Sequence, residues 1–416
     1  MAGPKRLTTH KGVRLWTIKH AATSKDWKDV AVPNAAFDWV PFTIQTNGYR
    51  FRPHPSFNLQ EHANIMVSKT YYVDSVNGSD ANSGADWDNA LRTLDEAWSK
   101  ADVDRIYATG QWTKLEQNAV TDRDFELIGV GDCKITCDVT DDYVGAWSAV
   151  DNHYEATVSD YVYSDYDESD PNADCSEWGT QLTNKASIAE VDANPGSRYQ
   201  DWGARKLYVR TFDSREPDAD LRSYSNIALY LYGNNQTIYL ENIQLFPSTY
   251  WRSDGVGGIK IYAQNCDLYG GIFYGVEELI FQDCRNTCRR PADIINHNER
   301  DAISQNSIEI NCDFRNTAES GSSQASTTHN AVSIVRLENY YESGAQVIAD
   351  SGESSWNLGC HMYNYNAGYG FYTSGSPGAW LDKCYVDGEL IENGAGTIYL
   401  RKCTVTGAQS GDIQSY

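Results

Sequence analysis

Polar side chains able to act on a glycosidic bond are densest between residues 293 and 350. Hydrolysis of such a bond needs two carboxylates, one that protonates the leaving oxygen and one that activates water or attacks the sugar. Elimination from a uronate needs a base at C5 and a cation that neutralises the carboxylate. The candidate catalytic residues are Asp293, His297, Glu309, Asp313, His329, Arg336 and Asp350, and Glu338 belongs to the same cluster. A structural role competes with catalysis for each residue, because buried or turn-forming Asp and His side chains also satisfy backbone groups.

Aromatic side chains offer a second route to sugar binding. Flat rings stack on the apolar faces of sugars, and flanking acids accept hydrogen bonds from hydroxyl groups. Packing in the core or between subunits is the competing interpretation. The candidate substrate-binding residues are Tyr250, Trp251, Tyr340, Tyr341 and Trp356, and Tyr161, Tyr163, Tyr166 and Trp178 also lie at expected loops or strand ends.

A loop rich in Asp and Asn could bind Ca²⁺ through Asp74, Asn77, Asp80 and Asp86. The loop lacks the spacing of an EF-hand, so the building of turns is the alternative role for these residues. No other cofactor is expected, since the sequence has no P-loop, GxSxG, HExxH or zinc-finger spacing.

Short motifs centred on cysteine recur about two dozen residues apart, which is the length of one coil in a parallel β-helix. They contain Cys266, Cys284, Cys312, Cys360, Cys384 and Cys403, with Leu337 expected at the same position between Cys312 and Cys360, and Leu240 one coil before Cys266. Each Cys is predicted to point inward and stack on the next. Because coils stack about 4.8 Å apart, the polar residues between 293 and 350 are predicted to share one wall.

The segment TYYVDSVNGSDANSGADWDNALRTLDEAWSKA predicts a short strand, a loop and an amphipathic helix. Asp88 is the expected N-cap, and the apolar face consists of Ala90, Leu91, Leu94, Ala97 and Trp98. This order resembles the entry to right-handed parallel β-helix proteins of the pectate-lyase-like superfamily. The later segment PGSRYQDWGARKLYVRTFDSREPDADL resembles hairpins inserted near the start of carbohydrate-active β-helices.

The resemblance extends to phage tailspike and virion β-helix proteins and implies an all-β fold. The expected architecture is a right-handed parallel β-helix with an N-terminal capping α-helix and a small separate β-rich domain in front. The predicted units are a virion-docking domain (1–68), the β-helix entry with its capping helix (69–140), an insertion with side hairpins (141–222) and the coils (223–416).

The charge distribution bears on the partners. The net charge of −23 argues against a nucleic-acid groove and against docking on an anionic membrane. Residues 1–30 instead hold seven basic side chains against two acids, which suggests docking to an acidic protein, with a solvated tail as the alternative. No signal peptide and no run of 18 apolar residues occurs. The cysteines are therefore expected to stay reduced in a protein made in a host cytoplasm.

These patterns favour a phage-type spike or tail-fibre adhesin that binds a host cell-surface polysaccharide. Residues 1–68 would bind a virion structural protein, and the chain would form a homotrimer. Two alternatives remain open. One is a glycan-cleaving depolymerase, either a glycoside hydrolase or a polysaccharide lyase, and the other is a purely structural decoration of a capsid or tail.

Overall fold

The computed structural model of the protein describes most of the chain. The described residues are 6–8, 14–16, 26–112, 123–135, 147–157, 162–167, 180–201, 203–217, 221–225, 229–233, 235–245, 249–253, 258–268, 271–288, 295–298, 304–316, 324–366, 368–374 and 378–416.

The chain forms a parallel β-helix whose coils contribute strands to three parallel sheets, named A, B and C, and this confirms the predicted fold class. Sheet A contains Thr70–Asp74, Arg105–Trp112, Phe125–Ile135, Thr237–Glu241, Ile259–Gln264, Val276–Gln282, Gln305–Ile310, Val332–Leu337, Ser354–Leu358, Gly378–Asp382, Thr397–Arg401 and Ile413–Ser415. Sheet B continues from the ends of Arg105–Trp112 and Phe125–Ile135 into Gln244–Leu245, Asp267–Leu268, Arg285–Cys288, Asp313–Asn316, Tyr340–Ser343, His361–Asn364, Tyr385–Asp387 and Thr404–Val405. Sheet C contains Leu229–Gly233, Thr249–Ser253, Gly271–Tyr274, Ile295–Asn298, Gln324–His329, Gln346–Ser351, Tyr369–Thr373, Glu389–Glu392 and Gln409–Ser410.

A single residue with positive φ turns the chain from sheet A into sheet B in successive coils. Asn and Asp tolerate this left-handed conformation better than other non-glycine residues. The positions are Asn242, Asn265, Asp283, Asn311, Glu338, Gly359, Lys383 and Lys402. Two side-chain amides also bridge neighbouring coils here, since Asn265 donates to Asn242 at 2.5 Å and Asn311 donates to Asp283 at 2.6 Å.

The residue after each of these turns points into the lumen, and there the predicted cysteine column is present. The thiols in it are free and pack against apolar residues from all three sheets. Several thiols also donate to a backbone carbonyl of the preceding coil, as Cys360 does to Arg336 at 3.4 Å and Cys384 does to Asn357 at 3.3 Å.

Two predicted members of this column are wrong. Asn339, not Leu337, lies between Cys312 and Cys360 in the column. The amide of the next residue, Tyr340, donates to the Cys312 carbonyl, and this bond aligns Asn339 with Cys312. Leu337 instead pairs with Leu358 on the outer side of sheet A. One coil before Cys266 the position belongs to Ile243 rather than Leu240. Leu240 also points into the lumen, but in a column of sheet A. Coils differ in length, so spacing alone does not fix which nearby residue occupies the cysteine column.

The entry helix is shorter than predicted. It spans Leu94–Ser99, and the Thr93 hydroxyl, rather than Asp88, caps it by accepting from the Glu96 amide at 3.1 Å. Asp88 belongs to the 3₁₀ turn Trp87–Asn89, and Leu91 is extended and bridges to Val73. Leu94, Ala97 and Trp98 are buried as predicted, so the helix covers one end of the apolar lumen.

An N-terminal unit packs on the outer face of sheet A. Strands Lys28–Asp29, Ile44–Thr46 and Phe51–Pro53 form a small antiparallel sheet, accompanied by the 3₁₀ turn Ala35–Phe37 and the helix Leu59–Ala63. Arg6–Thr8 and Arg14–Trp16 form a separate antiparallel pair. Residues 26–66, called the N-terminal cover here, bury a stripe of apolar side chains on sheet A. Phe37 lies at its centre, with ring centroids 5.6 Å from Trp356 and 5.7 Å from Trp380.

A side unit interrupts the coils between residues 147 and 225. One antiparallel-rich sheet contains Ser148–Val150, His153–Thr157, Thr183–Asn184, Ser197–Asp201 and Lys206–Arg210, and a second contains Val162–Asp167, Thr180–Gln181 and Leu221–Ser225. The helix Ile188–Ala193 packs on the first sheet. Within the described residues, no helix has the length and apolar character needed to cross a membrane.

Candidate functional site

The structure brings four of the predicted catalytic residues together, but inside the solenoid. Glu309 and Arg336 are register partners on the inner side of sheet A. His297 and Asp350 lie across the lumen on sheet C, in one inward column. All four are at most 4% exposed. They form, with Ser326 and Tyr341, what is called the lumenal cluster here.

Glu309 accepts hydrogen bonds from three sides. His297 Nε2 lies 2.9 Å from Oε1, the Ser326 hydroxyl donates to Oε1 at 3.2 Å, and the Tyr341 hydroxyl donates to Oε2. Burial alone would raise the pKa of Glu309. The hydrogen bond from His297 and the charge of Arg336, whose Nε is 3.5 Å from Oε2, reverse this and lower the pKa. Glu309 is therefore a paired carboxylate at neutral pH.

Arg336 forms a bidentate ion pair with Asp350, with both terminal nitrogens 2.8 Å from a carboxylate oxygen. It also donates to the Asn357 side chain at 3.3 Å and to the Ser326 hydroxyl at 3.2 Å. Although burial opposes the charge, the Coulomb attraction of Asp350 raises the pKa of Arg336. The guanidinium thus joins the carboxylates of sheets A and C.

Asn339 occupies the position in the cysteine column that lies beside the lumenal cluster. Its amide nitrogen donates to the Glu309 carbonyl at 2.9 Å, the type of bond that thiols make in other coils, and also lies 2.7 Å from the Tyr341 hydroxyl. The side-chain oxygen Oδ1 of Asn339 accepts from the backbone amide of Cys312 at 2.7 Å. The interruption of the cysteine repeat was the sequence signal that could have located this cluster in the lumen.

The cluster does not form the open wall that the sequence predicted. A polymer outside the solenoid cannot reach groups that are fully buried, and each charge has its partner within the cluster. The geometry is that of a buried group of ion pairs and hydrogen bonds.

The other predicted catalytic residues are dispersed. Asp313 lies on the outer side of sheet B, where it pairs with Arg315. His329 ends a strand of sheet C, with Nδ1 3.3 Å from the Ser351 hydroxyl. Glu338 occupies a turn and accepts from the Phe51 amide of the N-terminal cover at 2.8 Å. Asp293 lies outside the described residues.

The predicted sugar-binding aromatics have mixed positions. Tyr341 is buried in the lumen, and Trp356 is buried beneath the N-terminal cover, so neither ring is available to a ligand. Tyr340 is half-buried on the outer side of sheet B. Tyr250 and Trp251 belong to the strand Thr249–Ser253, but their side chains, like those of Tyr161, Tyr163, Tyr166 and Trp178, lie outside the described part.

The acidic loop uses its carboxylates to build turns. Asp74 accepts from the Val76 and Asn77 amides, both at 2.9 Å. Asp80 accepts from the Thr93 amide, and Asp86 caps the 3₁₀ turn. No group of three or more His, Cys, Asp or Glu side chains within the described residues could hold a metal ion. The predicted Ca²⁺ site at this loop therefore has no support in the geometry.

The exposed side of sheet B presents an aromatic column, of which only Tyr340 was among the predicted site residues. Tyr340, His361 and Tyr385 are register partners on successive coils, with ring centroids 5.2 and 4.7 Å apart. Each of the three directly follows the inward residue of its coil in the sequence. Because successive side chains of a strand face opposite sides, this position could have predicted that all three point outward.

A second column of polar and aromatic groups flanks the first. Arg315, Glu342, Tyr363 and Asp387 follow one another in register along sheet B. The Tyr340 hydroxyl donates to Glu342 at 2.9 Å, and the Arg315 guanidinium lies 4.7 Å from the centre of the Tyr340 ring. These two columns, residues 313, 315, 340, 342, 361, 363, 385 and 387, are called the Tyr–His face here.

A separate open cleft of about 690 Å³ lies in the N-terminal cover. Phe42 and Phe57, whose ring centroids are 4.4 Å apart, line it together with Asp29, His54 and His62. His62 is also hydrogen-bonded to Glu278 of sheet A at 3.0 Å. None of the predicted site residues lines this cleft.

No protein-family profile matches the chain, and no curated protein sequence matches it. Similar solved structures include XylC in complex with xylose, at 12% identity and a TM-score of 0.47, covering 84% of this chain and 70% of that one. A glycoside hydrolase has 10% identity and a TM-score of 0.44, covering 84% of this chain and 96% of that one. The GH136 lacto-N-biosidase from Eubacterium ramulus has 8% identity and a TM-score of 0.33, covering 86% and 69%. Likeness at this level transfers no activity and no residue role.

Proposed function

We propose that the chain is a glycan-binding β-helix protein that holds a polysaccharide along the Tyr–His face. The observation that carries this proposal is the outward column Tyr340–His361–Tyr385, which repeats an aromatic group on successive coils. A polymer that lies along the solenoid axis would meet an aromatic group at each coil, with the His361 ring turned edge-on to its two neighbours.

The chemistry of the face suits sugars. Aromatic rings supply apolar surface for the C–H faces of pyranoses, and polar side chains beside them fix the hydroxyl groups. Tyr385 is 38% exposed, and Tyr340, His361 and Tyr363 are half-buried, so the rings are held by neighbours yet reach solvent. Glu342 and Asp387 supply acceptors in the second column.

The test is binding of the purified protein to a panel of capsular, lipopolysaccharide and plant polysaccharides, followed by calorimetric titration of any that bind. Removal of one stacking ring, in Tyr340→Ala or Tyr385→Ala, is expected to weaken binding about tenfold. Trp87→Ala is the matched control, because Trp87 is 40% exposed but lies on the entry turn. Equal affinities of all three variants would contradict the proposed face, and a panel without any binder would refute glycan binding.

Hydrolysis of the bound polysaccharide is a second candidate function, because the face carries carboxylates on adjacent coils. Asp313 lies opposite Tyr340, and Glu342 lies opposite Arg315, so the two acids are diagonal neighbours on adjacent strands. In this proposal Glu342 donates its proton to the leaving oxygen as the glycosidic bond breaks, and Asp313 takes a proton from the water that attacks the sugar carbon. Release of reducing ends is expected to fall about 100-fold or more in Asp313→Asn and Glu342→Gln. Binding without release of reducing ends from any bound polysaccharide would exclude it.

Attachment to a virion through residues 1–68 and assembly as a homotrimer stay predictions. The basic side chains among residues 1–30 support a protein partner of acidic character. A truncation that begins at Asp26 keeps the N-terminal cover on sheet A and removes most of these charges. Loss of incorporation into particles is the expected result, and unchanged incorporation would refute attachment by this segment. Light scattering of the full chain tests the trimer.

A further inference from the structure

The two arginines of the Tyr–His face and its edge are paired with acids. Arg315 forms a bidentate ion pair with Asp313. Arg285, one coil before Asp313 in the same outward column, forms a bidentate ion pair with Asp267. Each guanidinium charge is already offset by a carboxylate held along one donor edge, so it attracts a second carboxylate from a ligand only weakly.

The remaining ionisable groups of the face are acidic or neutral. Glu342 and Asp387 add carboxylates to the second column. Burial lowers the pKa of His361 to about 4, so its imidazole carries no charge at neutral pH. Lys383, at the adjoining corner, donates to Thr46 of the N-terminal cover at 3.1 Å and is turned away from the face. Lys402 occupies the next corner, at the margin.

We infer that the Tyr–His face selects neutral polysaccharides and rejects polymers of uronic acids. A polyanion would bring carboxylates against a surface with an excess of acids, on a chain of net charge −23. It would find no unpaired cation among the described residues of the face. Elimination from a uronate needs such a cation, so the same geometry disfavours lyase chemistry at this face.

This inference rests on the proposed function, and its test separates the two. The protein is titrated with neutral xylan, galactan, glucan and mannan, and with polygalacturonate and alginate, at about 0.05 and about 0.5 M NaCl. At least one neutral polysaccharide is expected to bind, with a Kd that changes less than about twofold between the two salt concentrations. Selective binding of the uronates would overturn the inference and leave glycan binding intact. No binding to any polymer would overturn both.

A charge variant tests the same point on the face itself. Thr404 is exposed and follows Tyr385 in the outward column. Thr404→Lys adds a cation there and is expected to strengthen uronate binding up to about fivefold, with neutral binding unchanged. Thr404→Gln is the uncharged control of similar length. The inference would be overturned if the unaltered protein binds uronates and the Thr404→Lys and Thr404→Gln variants bind them with equal affinity.

Discussion

Two glutamates on neighbouring coils, Glu309 and Glu338, have pKa values shifted in opposite directions. Glu309 lies in the lumen with no exposed surface, yet its pKa is lowered, because the cost of burial is outweighed by His297, Arg336 and Tyr341. The Glu338 side chain keeps 19% exposure beside the N-terminal cover, yet burial raises its pKa to about 7. The partners of Glu338 are one backbone amide and the more distant Arg50, 3.6 Å away. The number and charge of partners, rather than depth, decides the pKa of each carboxyl.

The two sites therefore give stability opposite dependences on pH. The pKa of Glu309 lies below the ordinary 4.5, so its stabilising contribution is present above that pH and is lost as the pH falls further. For Glu338, the folded protein binds the proton more tightly than the unfolded chain does. Its contribution is complete below pH 4.5 and is lost as the pH rises through about 7.

The largest expected effect comes from removing the cation of the lumenal cluster. Arg336→Met leaves Glu309 and Asp350 buried without their positive partner, and we expect the free energy of unfolding to fall by about 3–5 kcal/mol. Chemical denaturation followed by tryptophan fluorescence measures the change. Leu381→Met, two coils further along the same inward column, is the control and should cost less than about 1.5 kcal/mol. Similar losses in the two variants would show that the cluster has no special energetic role.

A smaller effect is expected from restoring the cysteine repeat. Asn339→Cys keeps a donor near the Glu309 carbonyl but leaves the buried Cys312 amide without its acceptor. We expect a loss of roughly 1–3 kcal/mol in the same denaturation assay.

The reverse exchange, Cys384→Asn, serves as the companion of this variant. It places a side-chain amide in an apolar part of the lumen. There the inward residue of sheet A that pairs with Asn357 is Leu381, not a charged residue, so this variant should also destabilise the protein. If either exchange proved neutral, the polar and apolar coils would be interchangeable, and the assignment of Asn339 to the cluster would fail.

The smallest effect is a change in the pH dependence of stability at Glu338. Glu338→Gln keeps an acceptor for the Phe51 amide and removes the ionisation, so we expect a gain of roughly 1–2 kcal/mol at pH 8 and none at pH 4.5. Thermal unfolding at several pH values between 4.5 and 8 measures the slope of stability against pH. The substitution Glu353→Gln, at an exposed residue, should leave this slope unchanged. A slope that persists in Glu338→Gln would place its origin elsewhere.

Much of the solenoid followed from the sequence because its signals are local. The Cys motifs predicted the inward column, and the apolar residues Leu94, Ala97 and Trp98 predicted the buried face of the entry helix. The exchange of Leu337 for Asn339 was missed, since hydrophobic patterning favours the apolar residue for the lumen. That preference fails wherever a polar group has buried partners supplied by other coils.

The candidate site was harder to predict than the fold. Glu309, Arg336 and Asp350 were correctly grouped, because residues one coil apart become neighbours. Their inward direction depends on the phase of each strand, and the one-residue turns after sheet A set that phase. The aromatic column of sheet B was visible only in part, since His361 and Tyr385 gain meaning from the register that brings them beside Tyr340.

The sequence by itself determined that the chain forms stacked coils with an inner cysteine column, because period-two alternation and a coil-length repeat are properties of neighbouring residues. The tertiary structure alone decided that Glu309 and Arg336 face each other in the lumen and that the N-terminal cover buries Trp356. Both outcomes depend on contacts between residues distant in sequence, whose free energy comes from charge pairing and from removal of apolar surface from water.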